Sequence, residues 1–185
     1  QAAWGSTIVR YSKEKPSITT ANKKEQLLTG WKGERVSAQF VVCNNSDSFE
    51  LSYTITPLVH VKNRRQTISP ENYFTGFVRY VMTDELNKDR KGGCGYRNSV
   101  DFDSSLVADP IDHHTKELMV YNKTTQAGWL RVQNPEDAEP GVYTAKVQIK
   151  NKGKSIKKLP LRLNVVNRVL PAYNDWKFHL DLWQN

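Results

Sequence analysis

Val142-Tyr143-Thr144-Ala145-Lys146-Val147-Gln148-Ile149-Lys150 is the stretch that decides the fold. Tyr143, Ala145, Val147 and Ile149 take alternate places, with Thr144, Lys146, Gln148 and Lys150 between them. Successive side chains of an extended chain point to opposite faces, so the run reads as a strand with one apolar and one solvated face. Asn151-Lys152-Gly153-Lys154 follows, a hairpin-turn signal. Alternation then resumes, with Leu159, Leu161, Leu163 and Val165 on one side and Arg162 and Asn164 on the other. Half-buried antiparallel strands of this kind are the units of a β-sandwich.

The rest of the chain repeats the pattern. No apolar set recurs at i, i+3, i+4, i+7 beyond a single turn, so helices are not expected. Further strands are expected at Thr7–Tyr11, Arg35–Cys43, Leu51–Leu58, Gly76–Met82, Leu118–Tyr121 and Gly128–Gln133. Turn chemistry separates them: Asn44-Asn45-Ser46-Asp47, Ser69-Pro70-Glu71-Asn72, Asn134-Pro135-Glu136-Asp137 and Glu139-Pro140-Gly141. The expectation is an all-β, two-sheet antiparallel β-sandwich, immunoglobulin- or galactose-binding-like, of about eight strands within residues 1–170. Asp84 to His114, polar and rich in Gly and Asp, reads as one long irregular loop, a length that often carries function. Leu170 to Trp176 reads as a linker, and Lys177 to Trp183 as a new strand that begins just before the sequence stops. That ending suggests a piece of a longer protein.

The 185 residues carry 27 Lys+Arg against 19 Asp+Glu, a net +8. The densest basic run, Lys146 to Lys158, sits on the hairpin, where lysines keep a turn and its edges soluble. A phosphate-tracking patch would add arginine and stacking aromatics, so no nucleic-acid partner is expected. No apolar run approaches the ~20 residues of a transmembrane helix. Two cysteines are too few for a disulfide scaffold: Cys43 lies in an apolar run and Cys94 in a glycine-rich loop, two thiols or, in an oxidising compartment, a pair. No Cys-x-x-Cys occurs, which removes a zinc ribbon or dithiol redox motif.

His113-His114 with Asp109 and Asp112 invites a metal reading, but adjacent residues of an extended chain face opposite ways and do not share an ion. Asp101 and Asp103 offer hard oxygen donors without the twelve-residue calcium-loop pattern. His60, His113, His114 and His179 have no nucleophile motif beside them. Catalytic, metal and cofactor sites are therefore not expected. Of the five tryptophans, Trp129 reads as core. Trp31, in a glycine-flanked turn, is the candidate exposed platform or interface anchor.

Several motifs together resemble the N-terminal domain of proteins in and around glycoside hydrolase family 123. They are Gly30-Trp31-Lys32-Gly33-Glu34-Arg35-Val36-Ser37-Ala38-Gln39, Phe77-Val78-Arg79-Tyr80-Val81, Leu106-Val107-Ala108-Asp109, Gln126-x-x-Trp129, Pro140-Gly141-x-Tyr143 and the closing Trp176-x-Phe178-His179-Leu180-Asp181-Leu182-Trp183-Gln184. The closing motif is the most specific and is similar to the first strand of that family's catalytic (β/α)₈ barrel. The resemblance implies a retaining hexosaminidase whose substrate's N-acetyl group is the nucleophile. It also implies an adjacent Asp-Glu pair on a barrel loop beyond this sequence. Asp84-Glu85 follows a sandwich strand and does not inherit that role. Residues 171–185 are then linker and first barrel strand, and Trp31, Trp176, Asp181 and Trp183 are expected glycan or domain-interface contacts. The implied protein is a secreted bacterial enzyme, periplasmic or on the cell surface, acting on N-acetylhexosamine glycans. This piece is its inactive accessory domain, with the protein's own barrel as partner. The rival expectation is a free-standing carbohydrate-binding or adhesion module.

Overall fold

The structure is a computed structural model, and it describes residues 1–14, 24–83, 100 and 105–177. Among the described residues twelve strands form two sheets. The first sheet has the order β1 (Ala2–Gly5), β3 (Arg35–Asn44), β10 (Thr124–Gln133), β7 (Tyr73–Thr83), β8 (Ser105–Asp112). The second has the order β2 (Gln26–Lys32), β12 (Lys154–Val169), β11 (Gly141–Asn151), β4 (Phe49–Ile55), β9 (Glu117–Val120). Two short strands, β5 (Leu58–His60) and β6 (Thr67–Ile68), continue the second sheet beside β11.

The deciding hairpin behaves as its alternation requires. Tyr143 pairs with Leu163, Ala145 with Leu161 and Val147 with Leu159, and all six are buried. The turn places Lys152 at φ 46° and Gly153 at φ 76°, as a type I′ turn needs. Pro160 interrupts neither ladder: β2 begins to pair only at Leu161, so Pro160 sits where β12 has no neighbour on that side. Its carbonyl accepts the Trp4 indole N–H at 2.7 Å, which ties the first sheet to the second. Tyr143 Oη donates to the Glu139 carbonyl at 2.7 Å, four residues upstream, and closes the Pro140-Gly141 corner.

Tyr53 makes the central link between the sheets. It belongs to β4 of the second sheet, yet its hydroxyl donates to the Trp129 carbonyl at 2.6 Å and accepts the Gly76 N–H at 2.8 Å, both in the first sheet. Its ring stands edge-on to Phe40 (4.7 Å between centroids) and Phe77 (5.4 Å). Phe40 and Phe77 flank Gly128, their register partner on either side. A Cβ on Gly128 would fall inside the Phe40 ring, so only glycine fits there. Tyr73 makes a second link: its hydroxyl accepts the Leu58 N–H at 2.7 Å and donates to the Ile68 carbonyl at 2.8 Å.

Five readings change. Thr7–Tyr11 is no strand; residues 6–14 strap across the outer face of the first sheet, where Gln39 Nε2 donates to the Ser6 carbonyl at 2.7 Å. Tyr11 turns in against Val41 and Cys43. The Leu51–Leu58 run breaks at Pro57, which cannot donate to a ladder. Residues 105–112, read as loop, form β8. One pairing is parallel, that of β2 with β12, in a sheet expected to be antiparallel throughout. The count rises from about eight to twelve because β1, β2, β5, β6 and β8 are short, polar or glycine-bearing. Cys94 lies outside the described residues; Cys43 is buried with Sγ 3.7 Å from Thr125 Oγ1.

Tyr53→Phe keeps the ring and removes the hydroxyl, leaving the Gly76 N–H without its partner. We expect a loss of about 1–3 kcal/mol in urea unfolding, and a larger loss for Gly128→Ala. Burial pushes the Tyr53, Tyr73 and Tyr80 phenols above their ordinary range. A raised folded value means stabilisation that is complete below the unfolded value of about 10 and lost as pH rises beyond it. The tyrosinate absorbance of these three phenols should therefore appear together with loss of sheet circular dichroism, above the pH at which a free phenol titrates.

Candidate functional site

Trp31, next to last in the edge strand β2, opens the turn Trp31-Lys32-Gly33-Glu34. Glu34 N–H donates to the Trp31 carbonyl at 3.2 Å, and Gly33 at φ +80° supplies the positive φ of a type II turn. The Glu34 carboxylate accepts the Trp31 N–H at 2.7 Å. Asn134, wholly buried, locks the turn to the end of β10. Its Nδ2 donates to the Trp31 carbonyl at 2.9 Å, its N–H to the Glu34 carbonyl at 2.9 Å, and its carbonyl accepts the Gly33 N–H at 2.9 Å. Its Oδ1 is buried without a hydrogen-bond partner. Gln133 Nε2 adds a bond to the Gly33 carbonyl at 2.7 Å.

The end of β12 comes to the same place. Val166 is the register partner of Trp31 and Val169 that of Lys32, and Leu170 N–H donates to the Lys32 carbonyl at 2.8 Å. A 3₁₀ turn follows at Tyr173–Asp175, and Trp176 Nε1 donates back to the Pro171 carbonyl at 3.0 Å. Trp31 and Trp176 are each 39% exposed, Val169 is 51% exposed and Tyr173 76%. One end of the sandwich thus presents four apolar or aromatic side chains. Asp181 and Trp183 lie outside the described residues, as do His179, Asp84-Glu85, Asp101 and Asp103.

The outer face of the first sheet holds the other sequence candidates. Trp129 is not core: Leu130 and Val132 take the inner face, and Trp129 packs outside against Val78, Ala108 and Ala127. It floors a pocket of about 170 Å³ with Gln39 and Asp109 on the wall. His113 and His114 follow β8 in a bend rather than on a strand, so their rings lie together, 4.1 Å between centroids, instead of facing opposite ways. His113 also meets Phe74 at 4.7 Å, and the Arg131 guanidinium covers Phe74 at 4.2 Å. The neighbouring carboxylates are engaged. Asp109 pairs with Arg10 at 3.6 Å and Asp112 with Arg79 at 3.7 Å. Thr115 Oγ1 donates to Asp112 at 2.7 Å; this bond, with the Thr115 and His114 N–H groups and Arg79, holds the carboxyl down to about 2. Among the described residues no group of three metal-binding side chains occurs.

A cavity of about 670 Å³ opens at the opposite end, between Phe49, Ile149 and Ile156, with Asn44, Asp47 and Lys157 at its polar wall. Asn134 and the β2–β12 contact were invisible in the sequence. Asn134-Pro135 carries an ordinary turn signal, and Gly30 with the 60%-exposed Leu27 hides β2 from an alternation test.

A family model described as the glycoside hydrolase 123 N-terminal domain matches residues 4–151. Among solved structures, a family 123 glycoside hydrolase from Clostridium perfringens, studied for glycolipid glycan hydrolysis, aligns with a TM-score of 0.70 at 17% identity. The alignment covers 92% of this chain and 28% of that one, so the present chain spans little more than a quarter of that enzyme; the likeness is one of fold. The N-terminal domain of PorA (TM-score 0.38, 10% identity, 89% of this chain and 97% of that one) and the periplasmic chaperone SfaE (0.38, 8%, 80% and 58%) are far more distant and carry no argument. No curated protein matches.

Asn134→Ala removes the bond to the Trp31 carbonyl and relieves the orphaned Oδ1, so the net cost should be small, about 1 kcal/mol. Its signature is local: faster amide exchange at Gly33 and Glu34, with the β11 and β12 amides unchanged.

Proposed function

This chain belongs to the family of glycoside hydrolase 123 N-terminal domains, and we propose that it is a non-catalytic module that docks its enzyme's catalytic barrel onto the Trp31 end of the sandwich. The observation that carries this reading is the exposed apolar end. Trp31, Val169, Tyr173 and Trp176 are exposed at the end of the sandwich where the β2–β12 pairing finishes and hydrogen bonds tie the Trp31 turn to β12. Burying a large apolar side chain is worth about 1.5–3 kcal/mol, so four such side chains suit a stable interface within one polypeptide.

On this reading residues 171–185 are the linker and first barrel strand, and Asp181 and Trp183 join the same contact. The enzyme acts on N-acetylhexosamine glycans, is secreted by a bacterium, and keeps its acid and base on the barrel. Trp31 lies on a face open to solvent, which also suits a sugar-stacking platform; saturable binding on a glycan array would favour a carbohydrate-binding module instead.

Residues 1–185 alone should give no turnover of nitrophenyl N-acetylgalactosaminide, whereas the full-length enzyme should. Trp31→Ala should lower the melting temperature of the full-length enzyme clearly more than that of residues 1–185, which loses only the part of the ring already packed within the sandwich. Turnover by the isolated chain, or equal shifts in the two proteins, would overturn the proposal.

A further inference from the structure

From Pro140 to Asn174 the chain carries six lysines, two arginines and no acidic residue. Removing these 8 from the 27 basic residues leaves 19, against 19 acidic ones. The whole net charge of +8 therefore sits in the β11–β12 hairpin and its continuation, and the remainder of the chain is neutral.

The register decides where the charges point. Lys146 pairs with Pro160, Gln148 with Lys158 and Thr144 with Arg162, while the buried Ala145, Val147, Leu161 and Leu163 take the inward places between them. Lys146, Lys158 and Arg162 therefore face outward from the second sheet, and Lys150 continues the β11 row. Glu25 lies 3.6 Å from Arg162. Glu50 and Glu117 take outward places on β4 and β9 at the Lys150 end of the row, and β11 and β12 themselves carry no carboxylate beside Lys146 or Lys158. Like charges on neighbouring strands repel, so this face costs the fold stability that a polyanion would return.

We infer that the outer face of the second sheet binds a sulfated or carboxylated polysaccharide. Lys158 lies diagonally across from both Lys146 and Lys150, roughly 7–8 Å away, so the cations form a zigzag along the hairpin. A nucleic-acid face would add further arginines and stacking aromatics, whereas the outward places from Thr144 to Lys150 and from Lys158 to Asn164 carry one arginine and no aromatic. Between them stand Thr54, Thr144 and Gln148, short hydroxyl and amide groups suited to sugar hydroxyls. The inference does not use the docking end, so it stands or falls apart from that proposal.

Heparin is the probe. The logarithm of its affinity for the chain should fall linearly with the logarithm of salt concentration. Lys146→Gln/Lys150→Gln/Lys158→Gln should weaken it at least tenfold at 0.1 M salt and flatten the slope. Lys62→Gln/Arg64→Gln/Arg65→Gln removes the same net charge from another surface and should change it less than twofold. Equal losses in the two triple variants would reduce the effect to net charge and overturn the inference. So would absence of heparin binding, or tighter binding to duplex DNA or to phosphatidylserine vesicles than to heparin.

Discussion

One phenol sets the spacing of the sandwich. Tyr53 rises from the second sheet, stands edge-on between Phe40 and Phe77, and ends on backbone groups of the first sheet at Gly76 and Trp129. Apolar packing alone fixes neither the distance nor the slide between two sheets, because many interdigitations bury similar area. A hydroxyl that must meet a carbonyl at 2.6 Å and an N–H at 2.8 Å allows one. Gly128 makes the room, and Trp4 on Pro160 repeats the device near the edge. The same peptide that accepts Tyr53 from inside carries the Trp129 indole on the outside. The inner core and the outer pocket are therefore registered to each other.

Alternation made the long strands legible. Residues 35–44, 124–133, 141–151 and 154–169 each bury one face, and a period of two shows that directly. β2 was illegible for a physical reason. It pairs on one side only, carries Gly30 where a side chain would strike Val36, and exposes Leu27, so it lacks the pattern a half-buried strand needs. Its partner, β12, lies more than a hundred residues downstream and runs parallel to it. Nothing local announces such a pairing.

The candidate end of the molecule was half legible. Trp31 between two glycines signals a built turn, and the turn is there with Gly33 at positive φ. What the residues do not announce is that Leu170 returns to Lys32, or that Asn134 takes the centre of the knot. His113-His114 failed in the other direction. The argument from alternating faces holds only while the chain is extended, and β8 stops at Asp112, whose carboxylate gathers the His114 and Thr115 N–H groups and bends the chain there. The rings stack because a capping carboxylate ends the strand one residue before them.

The β11–β12 hairpin shows why composition alone misleads about a protein of this kind. A net +8 spread over a surface means solubility and little else. The same charge on one hairpin, with Ala145, Val147, Leu161 and Leu163 beneath it, is a field with a direction. Alternation creates that field without special machinery: the inner places from Tyr143 to Val147 are closed to polar side chains, so Lys146, Lys158 and Arg162 go to the solvated face, while Lys157, opposite Ile149, lines the cavity near the hairpin turn. The residues that build the core of the second sheet therefore also fix the geometry of its charged side. Any change of register that moved Leu161 outward would bury Lys158 and Arg162, and the cost of burying those charges is what keeps the register single.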